Sequence, residues 1–218
     1  MNYADFSWSY SLPACPYCGK VLRDIQLGMC HTCYSQQIKS TDKRTTKRAL
    51  AYVLRKFNTL GLIIPHHRLR LFFVDKDRLC DLAKVPNNSN ILGLTIPTIS
   101  QWGCHYRVYL LDKLPLFTHL ETLAHELGHV WLQENVKDLD SKSPQEIEGF
   151  CELAGYKTLQ FDQTMASHNH QDMMLKNQDP IYGHGLRIMK YRAETMGWEA
   201  FLNQLTDGGI GAKTTNQL

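Results

Sequence analysis

Apolar and polar positions repeat in two rhythms along this chain. Leu120, Leu123, Ala124, Leu127, Val130 and Trp131 recur at i, i+3, i+4 and i+7, the period of one buried helical stripe. Thr118 and Glu121 stand before it as Thr-x-x-Glu, the spacing of a capping box, so a helix is expected from there. Ile147, Phe150, Cys151, Ala154, Thr158 and Phe161 form a second stripe, opened by Ser143-Pro144-Gln145-Glu146. Ser143 reads as its N-cap, Pro144 as the first helical residue and Glu146 as the closing side chain of another box. Leu186, Met189, Ala193 and Met196 make a third stripe ended by Gly197, and Trp198, Phe201, Leu202 and Leu205 a fourth.

The period-two rhythm falls between these helices and the N-terminal part. Leu69 to Val74, Ile91 to Ile99 and His105 to Leu111 read as strands, with Pro86, Pro97 and Asn87-Asn88-Ser89-Asn90 marking loops. The expectation is an α+β fold with a small, mostly antiparallel sheet packed on the first helix. Tyr106 to Leu111 runs directly into that helix and is expected to be an edge strand. Its free N–H and C=O groups would let an extended peptide add as one more strand, making Tyr106, Arg107, Val108, Tyr109 and Leu110 candidate substrate-binding residues.

The first stripe carries chemistry on its flank. His125-Glu126-Leu127-Gly128-His129 places two imidazoles one turn apart on a helix, a spacing that lets them share one tetrahedral zinc ion. Glu126 beside them is placed as the base for an attacking water. Glu148, on the second helix, is the expected third ligand, and Glu152, one turn on, the carboxylate that accepts the free ring N–H of a ligating His. The competing reading of both glutamates is a solvated helix face. Gly128 permits close approach of either the strand or the second helix.

Seven cysteines include Cys15-x-x-Cys18 and Cys30-x-x-Cys33, the spacing of a zinc ribbon. Gly19 and Pro16 suit the tight knuckle, and redox pairing of the thiols is the alternative. His31 reads as a bystander, and Cys80, Cys104 and Cys151 as free thiols. Two zinc ions are therefore expected, one structural and one catalytic. Lys39, Lys43, Arg44, Lys47, Arg48, Arg55 and Lys56 surround Leu50, Val53, Leu54 and Phe57, which predicts a basic amphipathic helix ending near Asn58 to Gly61. Its charges read as a solvated face or as a site for an anionic partner, and the net charge of +3 does not favour nucleic acid.

Near the C-terminus, Asp179-Pro180 is a turn, and Tyr182-Gly183-His184-Gly185 reads as a loop approaching the metal. Tyr182, or His184 in its place, would supply a hydrogen bond to a developing oxyanion. His66-His67 and a loop His168-Asn169-His170 read as surface histidines. With 43% hydrophobic and 21% charged residues, the composition is that of a globular protein. Met1 to Ser11 has no basic start and no continuous apolar run, so no signal peptide or membrane span is expected and a cytoplasmic location is. The expected layout is an N-terminal tail (1–11), a ribbon (12–38), a basic helix or linker (39–61), a peptidase domain (62–206) and a disordered tail (207–218).

Glu148-Gly149-Phe150 after a His-Glu-x-x-His helix resembles the gluzincin metallopeptidases. Four ordered blocks, Arg107 to Pro115, Leu123 to Leu132, Glu148 to Cys151 and Tyr182 to Gly185, resemble the DA-one family of plant organ-size peptidases and their bacterial relatives, over residues 70 to 206. That resemblance implies a LIM-type zinc module joined to a gluzincin peptidase that cuts protein substrates, with Tyr182 at the family's Tyr-Gly step. Plant members are activated by ubiquitylation; this chain lacks their acidic ubiquitin-interacting helix, and its zinc module is shorter than a LIM domain. The expected function is a zinc endopeptidase acting on protein or peptide, with the ribbon as a site for a regulatory protein. One alternative is a non-catalytic zinc-ribbon adaptor. Another is a DNA-linked protease of the Spartan-like type, although those carry a third His ligand and usually a C-terminal ribbon.

Overall fold

The computed structural model describes residues 14, 15, 17–22, 29–39, 42–101 and 103–206. The two expected tails, 1–11 and 207–218, lie outside the described residues, as does Pro16. Among the described residues the architecture is α+β, with a four-cysteine module ahead of a helix-rich body that holds a three-stranded sheet.

The module is built on a tight knuckle. Cys15 N–H donates to Lys20 O at 2.7 Å and Gly19 N–H donates to Cys15 O at 2.9 Å. Gly19 turns the chain there with φ of 68°, a left-handed conformation that a side chain would strain. Helix α1 (His31–Ser35) carries Cys33 on its buried side, and His31 is exposed. The chain leaving the module is clamped to the body, since Ile38 N–H donates to Leu114 O at 2.9 Å and Lys113 N–H to Ile38 O at 3.1 Å.

Helix α2 (Lys43–Thr59) starts where the Asp42 carboxylate accepts from the N–H groups of Arg44 and Thr45. Ala49, Val53 and Phe57, four apart, are buried in the main core, while Lys43, Arg44, Lys47, Arg48 and Arg55 are exposed. The basic helix is therefore one wall of the body's own core. Trp198 secures its end by donating to Leu60 O at 2.7 Å.

Strand β1 (Leu69–Val74) leads through helix α3 (Lys76–Ala83) to strand β2 (Gly93–Ser100) and strand β3 (Gly103–Leu111). The sheet order is β1-β3-β2, with β1 parallel and β2 antiparallel to β3. This corrects two expectations. The sheet is mixed, because β3, reached through α3 and the β2–β3 hairpin, runs parallel to β1; and β3 is its centre, because β1 fills the flank expected to be free. Tyr106, Arg107, Val108, Tyr109 and Leu110 are paired to β1 on one side and β2 on the other, so they cannot take a peptide as an added strand.

The free edge beside the histidine helix belongs to β2. Leu111 N–H donates to Leu92 O at 2.9 Å, which makes Leu92 and Leu111 a hydrogen-bonded pair. In an antiparallel ladder such pairs alternate, so Gly93, Thr95 and Pro97 turn their main-chain groups outward, away from β3. Pro97 loses nothing there, since its missing N–H would have faced the open edge.

Helix α4 (Leu116–Asn135) begins two residues before Thr118, with Pro115 at its N-cap and His119 N–H donating to Pro115 O at 2.8 Å. Thr118 is thus the third helical residue and cannot cap; the Thr118–Glu121 box does not form. The second box does. Helix α5 (Pro144–Leu159) has Ser143 and Glu146 bonded reciprocally and Pro144 in its first turn. Helices α6 (Met165–Lys176), α7 (Tyr182–Met196) and α8 (Trp198–Thr206) complete the body. His168-Asn169-His170 lies within α6 and Tyr182-Gly183-His184-Gly185 opens α7, so neither is the expected loop.

Glycines set how closely these helices cross. A Cβ at Gly128 would lie 3.1 Å from Cys151 Cα, so Gly128 admits the second helix and not the strand. A Cβ at Gly149 would lie 2.5 Å from the Gly185 carbonyl carbon, so α5 and α7 touch backbone to backbone. No described helix is long and apolar enough to cross a membrane.

Candidate metal centre

The α4 stripe of Leu123, Leu127 and Val130 is sealed in the core, which fixes the rotation of the helix. That rotation turns His125 and His129 toward α5, with ring centroids 5.0 Å apart and planes at 70°. The capped first turn of α5 sets Glu148 opposite them. Glu148 Oε2 stands 3.1 Å from His125 Nε2 and 3.5 Å from His129 Nε2. One turn on, Glu152 Oε1 stands 3.0 Å from His125 Nδ1. The structure thus brings together the side chains of His125, His129, Glu148 and Glu152, as the helical spacing predicts.

Charge follows from that geometry. Burial raises the Glu148 carboxyl, but the hydrogen bonds and charges of His125 and His129 outweigh it and bring the pKa down to about 2. Burial lowers the His125 imidazole, and contacts with Glu148 and Glu152 outweigh that in turn, holding it well above its usual value. His125, His129 and Cys151 also form a group whose ligand atoms lie within 4.8 Å of one another. Cys151 is fully buried and burial pushes its thiol up, and it does not line the cleft that the other residues face.

That cleft encloses about 1430 Å³ and runs between β2 on one side and α6, α7 and the cysteine module on the other. Glu126 faces it beside the histidines and is 4% exposed. Its Oε2 accepts from the Thr95 hydroxyl at 2.7 Å, and a Cβ at Gly93 would lie 2.5 Å from its Oε1. Strand β2 therefore packs directly on the Glu126 carboxylate. Tyr182 lines the cleft with its ring 6.2 Å from that of His125. Burial and the charges of Glu148 and Glu152 push its phenol up to about 12, so it stays a donor. His184, about 200° further round α7, is exposed and does not line the cleft, so it is no alternative to Tyr182.

The second cluster is Cys15, Cys18, Cys30 and Cys33, whose sulfurs all lie within 4.8 Å of one another. Cys30 N–H donates to Cys15 Sγ at 3.3 Å, as knuckle amides do toward thiolates. Burial raises the Cys30 thiol, but hydrogen bonds from the Cys33 N–H and the neighbouring thiols bring it down to about 7, while Cys33 is pushed up by its own burial. Four cysteine sulfurs this close could hold a metal ion among them.

Sequence reasoning assigned no chemistry to His170, which is 5% exposed. Its Nε2 donates to Glu121 Oε2 at 2.5 Å and its Nδ1 to Tyr17 O at 3.1 Å. These partners lie 49 and 153 residues away in the chain, beyond the reach of any local pattern. Gly93 and Thr95 were missed as well; a glycine inside a strand run, which often marks a close approach, was the available signal. In comparisons with known proteins, no family model, curated protein or solved structure matches the chain.

Proposed function

We propose that the chain is a zinc endopeptidase, with zinc held by His125, His129 and Glu148 and a second zinc held by the four cysteines. The observation that carries this reading is the convergence of two imidazoles and one carboxylate beside Glu126 in one open cleft. Ligands about 2.0–2.1 Å from one tetrahedral zinc lie about 3.3 Å apart. The separations of 3.1 and 3.5 Å from Glu148 Oε2 to the two imidazoles bracket that value. Glu148 is preferred to Cys151 as third ligand because it is ionised and faces the cleft. The resemblance to the DA-one peptidases points the same way.

Zinc bound there would supply a Lewis acid that polarises a peptide carbonyl and makes water nucleophilic near neutral pH. The chain's own residues do the rest. The outward N–H and C=O groups of Gly93 and Thr95 pair with an extended substrate and hold its scissile bond over the histidines. Glu126 takes the proton of the attacking water and passes it to the leaving amine. Thr95, donating to Glu126 Oε2, keeps that carboxylate aimed. The Tyr182 phenol donates to the oxyanion that develops on the carbonyl. Glu152 holds His125 in the tautomer that leaves Nε2 free as a ligand.

Glu126→Gln tests the reading against unfolded casein as substrate. The variant is expected to hold as much zinc as wild type and to lose turnover by about 10²–10⁴-fold. A variant that cleaves as fast as wild type removes Glu126 as the base, and a wild type with one zinc per chain removes the catalytic site.

A further inference from the structure

The cysteine module reaches into the cleft. Tyr17, between Cys15 and Cys18, lines the same cavity as His125, Glu126 and His129, although more than a hundred residues separate it from them. Its carbonyl accepts from His170 Nδ1 at 3.1 Å, and His170 Nε2 is held by Glu121 at 2.5 Å. Glu121 is one turn before His125 on α4, so the knuckle is tied to the metal helix through two short bonds. Met173 closes the gap beside them, its Sδ 3.6 Å from where a Gly19 Cβ would lie. Tyr17 is half-buried, packed against the module's small core of Cys15, Leu22 and Cys33, and it lines the cleft that Met173 and Met174 also border.

We propose that the module is one wall of the substrate cleft, with Tyr17 setting which side chain the adjoining subsite accepts and His170 the positioning residue that holds it. This rests on the peptidase reading above. A ring and two thioethers make an apolar, polarisable surface, which suits an aromatic or large aliphatic side chain of the substrate. Met side chains adapt in shape, so the rigid ring of Tyr17 is what limits size. A module of this kind is commonly a separate handle for partners; here Tyr17 of its first knuckle lines the cleft.

The test is cleavage-site profiling of a proteome-derived peptide library by mass spectrometry, with wild type, Tyr17→Ala, Tyr17→Phe, His170→Ala and His170→Gln. Each is first shown to hold two zinc ions per chain, and acetohydroxamate, a small chelating inhibitor, serves as a control for the metal site. In Tyr17→Ala the preference at one substrate position is expected to shift toward bulkier side chains by about tenfold, with acetohydroxamate inhibition unchanged. Tyr17→Phe keeps the wild-type profile. His170→Ala moves the same position, and His170→Gln, which retains an N–H for the Tyr17 carbonyl, restores it. A two-zinc Tyr17→Ala variant with an unchanged profile at every position overturns the subsite, and an unchanged His170→Ala profile overturns its positioning. A two-zinc wild type that cuts no peptide overturns the peptidase reading itself, and the subsite with it.

Discussion

Glu152 Oε1 stands 3.0 Å from Nδ1 of His125, on the side of the ring opposite the nitrogen that faces Glu148. The imidazole is thereby held at both ends, with Nδ1 taken by a carboxylate that does not itself face both histidines and Nε2 left toward Glu148. Replacing Glu152 with Ala is expected to weaken metal binding at the histidine site by about 10–100-fold and leave the cysteine site intact. Chelator competition resolved into two metal classes reads this directly. Equal affinity in wild type and variant would show that the ring needs no such partner.

Gly93 packs on the Glu126 carboxylate, with room for a hydrogen and no more: a Cβ would lie 2.5 Å from Oε1 and 2.8 Å from Thr122 Cγ2. The end of the glutamate gives way more easily than the strand does. Gly93→Ala is expected to lower kcat by about tenfold to a hundredfold, with zinc content unchanged, because an ångström of misplacement at a base is felt in the rate. Steady-state kinetics beside elemental analysis separates this from loss of metal.

At the crossing of α5 and α7, Gly149 and Gly185 meet backbone to backbone. Alanine is the better helix former by about 1 kcal/mol, yet its methyl at 149 would overlap a main chain that cannot rotate away. Gly149→Ala is expected to lower the stability by about 1–3 kcal/mol, read as a reduced urea midpoint. A neutral or stabilising outcome would mean that the two helices can separate freely. Because Glu148 is the neighbouring residue, the same variant is expected to weaken metal binding too.

His119 lies in the first turns of α4, fully buried and stacked on Phe73 with centroids 5.6 Å apart and planes at 2°. Neither ring nitrogen has a hydrogen-bond partner among the described residues. Burial pushes its pKa from 6.5 to about 4, against the opposing charge of Asp112. The unfolded chain therefore takes up this proton first as the pH falls. Above about pH 6.5 the group contributes nothing to pH dependence; between there and about pH 4 it removes stability, on the order of 3 kcal/mol in all. His119→Leu is expected to narrow the stability difference between pH 7 and pH 4.5 seen in urea melts. An identical pH dependence in the two proteins would exclude His119 as a source of acid sensitivity.

What the sequence made legible was local. Glu148 and Glu152 fall on one helical face by spacing alone, and Ser143, Pro144 and Glu146 announce their own helix start. The cysteine pairs are spaced for their cluster, and Phe57 and Val53 mark the buried side of α2. The rest depended on partners far along the chain. The central position of β3 follows from β1 pairing parallel to it, Leu69 with Tyr106 and Val74 with Leu111, and a parallel pairing leaves no hairpin signature between its strands. His170 looked like a surface residue because its two partners, Glu121 and Tyr17, belong to other elements. Thr118 carried a capping pattern that Pro115, three residues earlier, overrode.

A strand left open to receive a guest is equally open to another copy of the same chain, the first step toward stacking in solution. Pro97 guards β2 against that. Its outward-facing position lacks an N–H, so the row of free groups that begins at Gly93 loses a donor just beyond Thr95. A short unfolded segment can still pair along the part of the strand that borders Glu126. Two folded copies aligned along the whole strand would meet a gap in the ladder at its centre, so the edge welcomes a substrate and discourages its own kind.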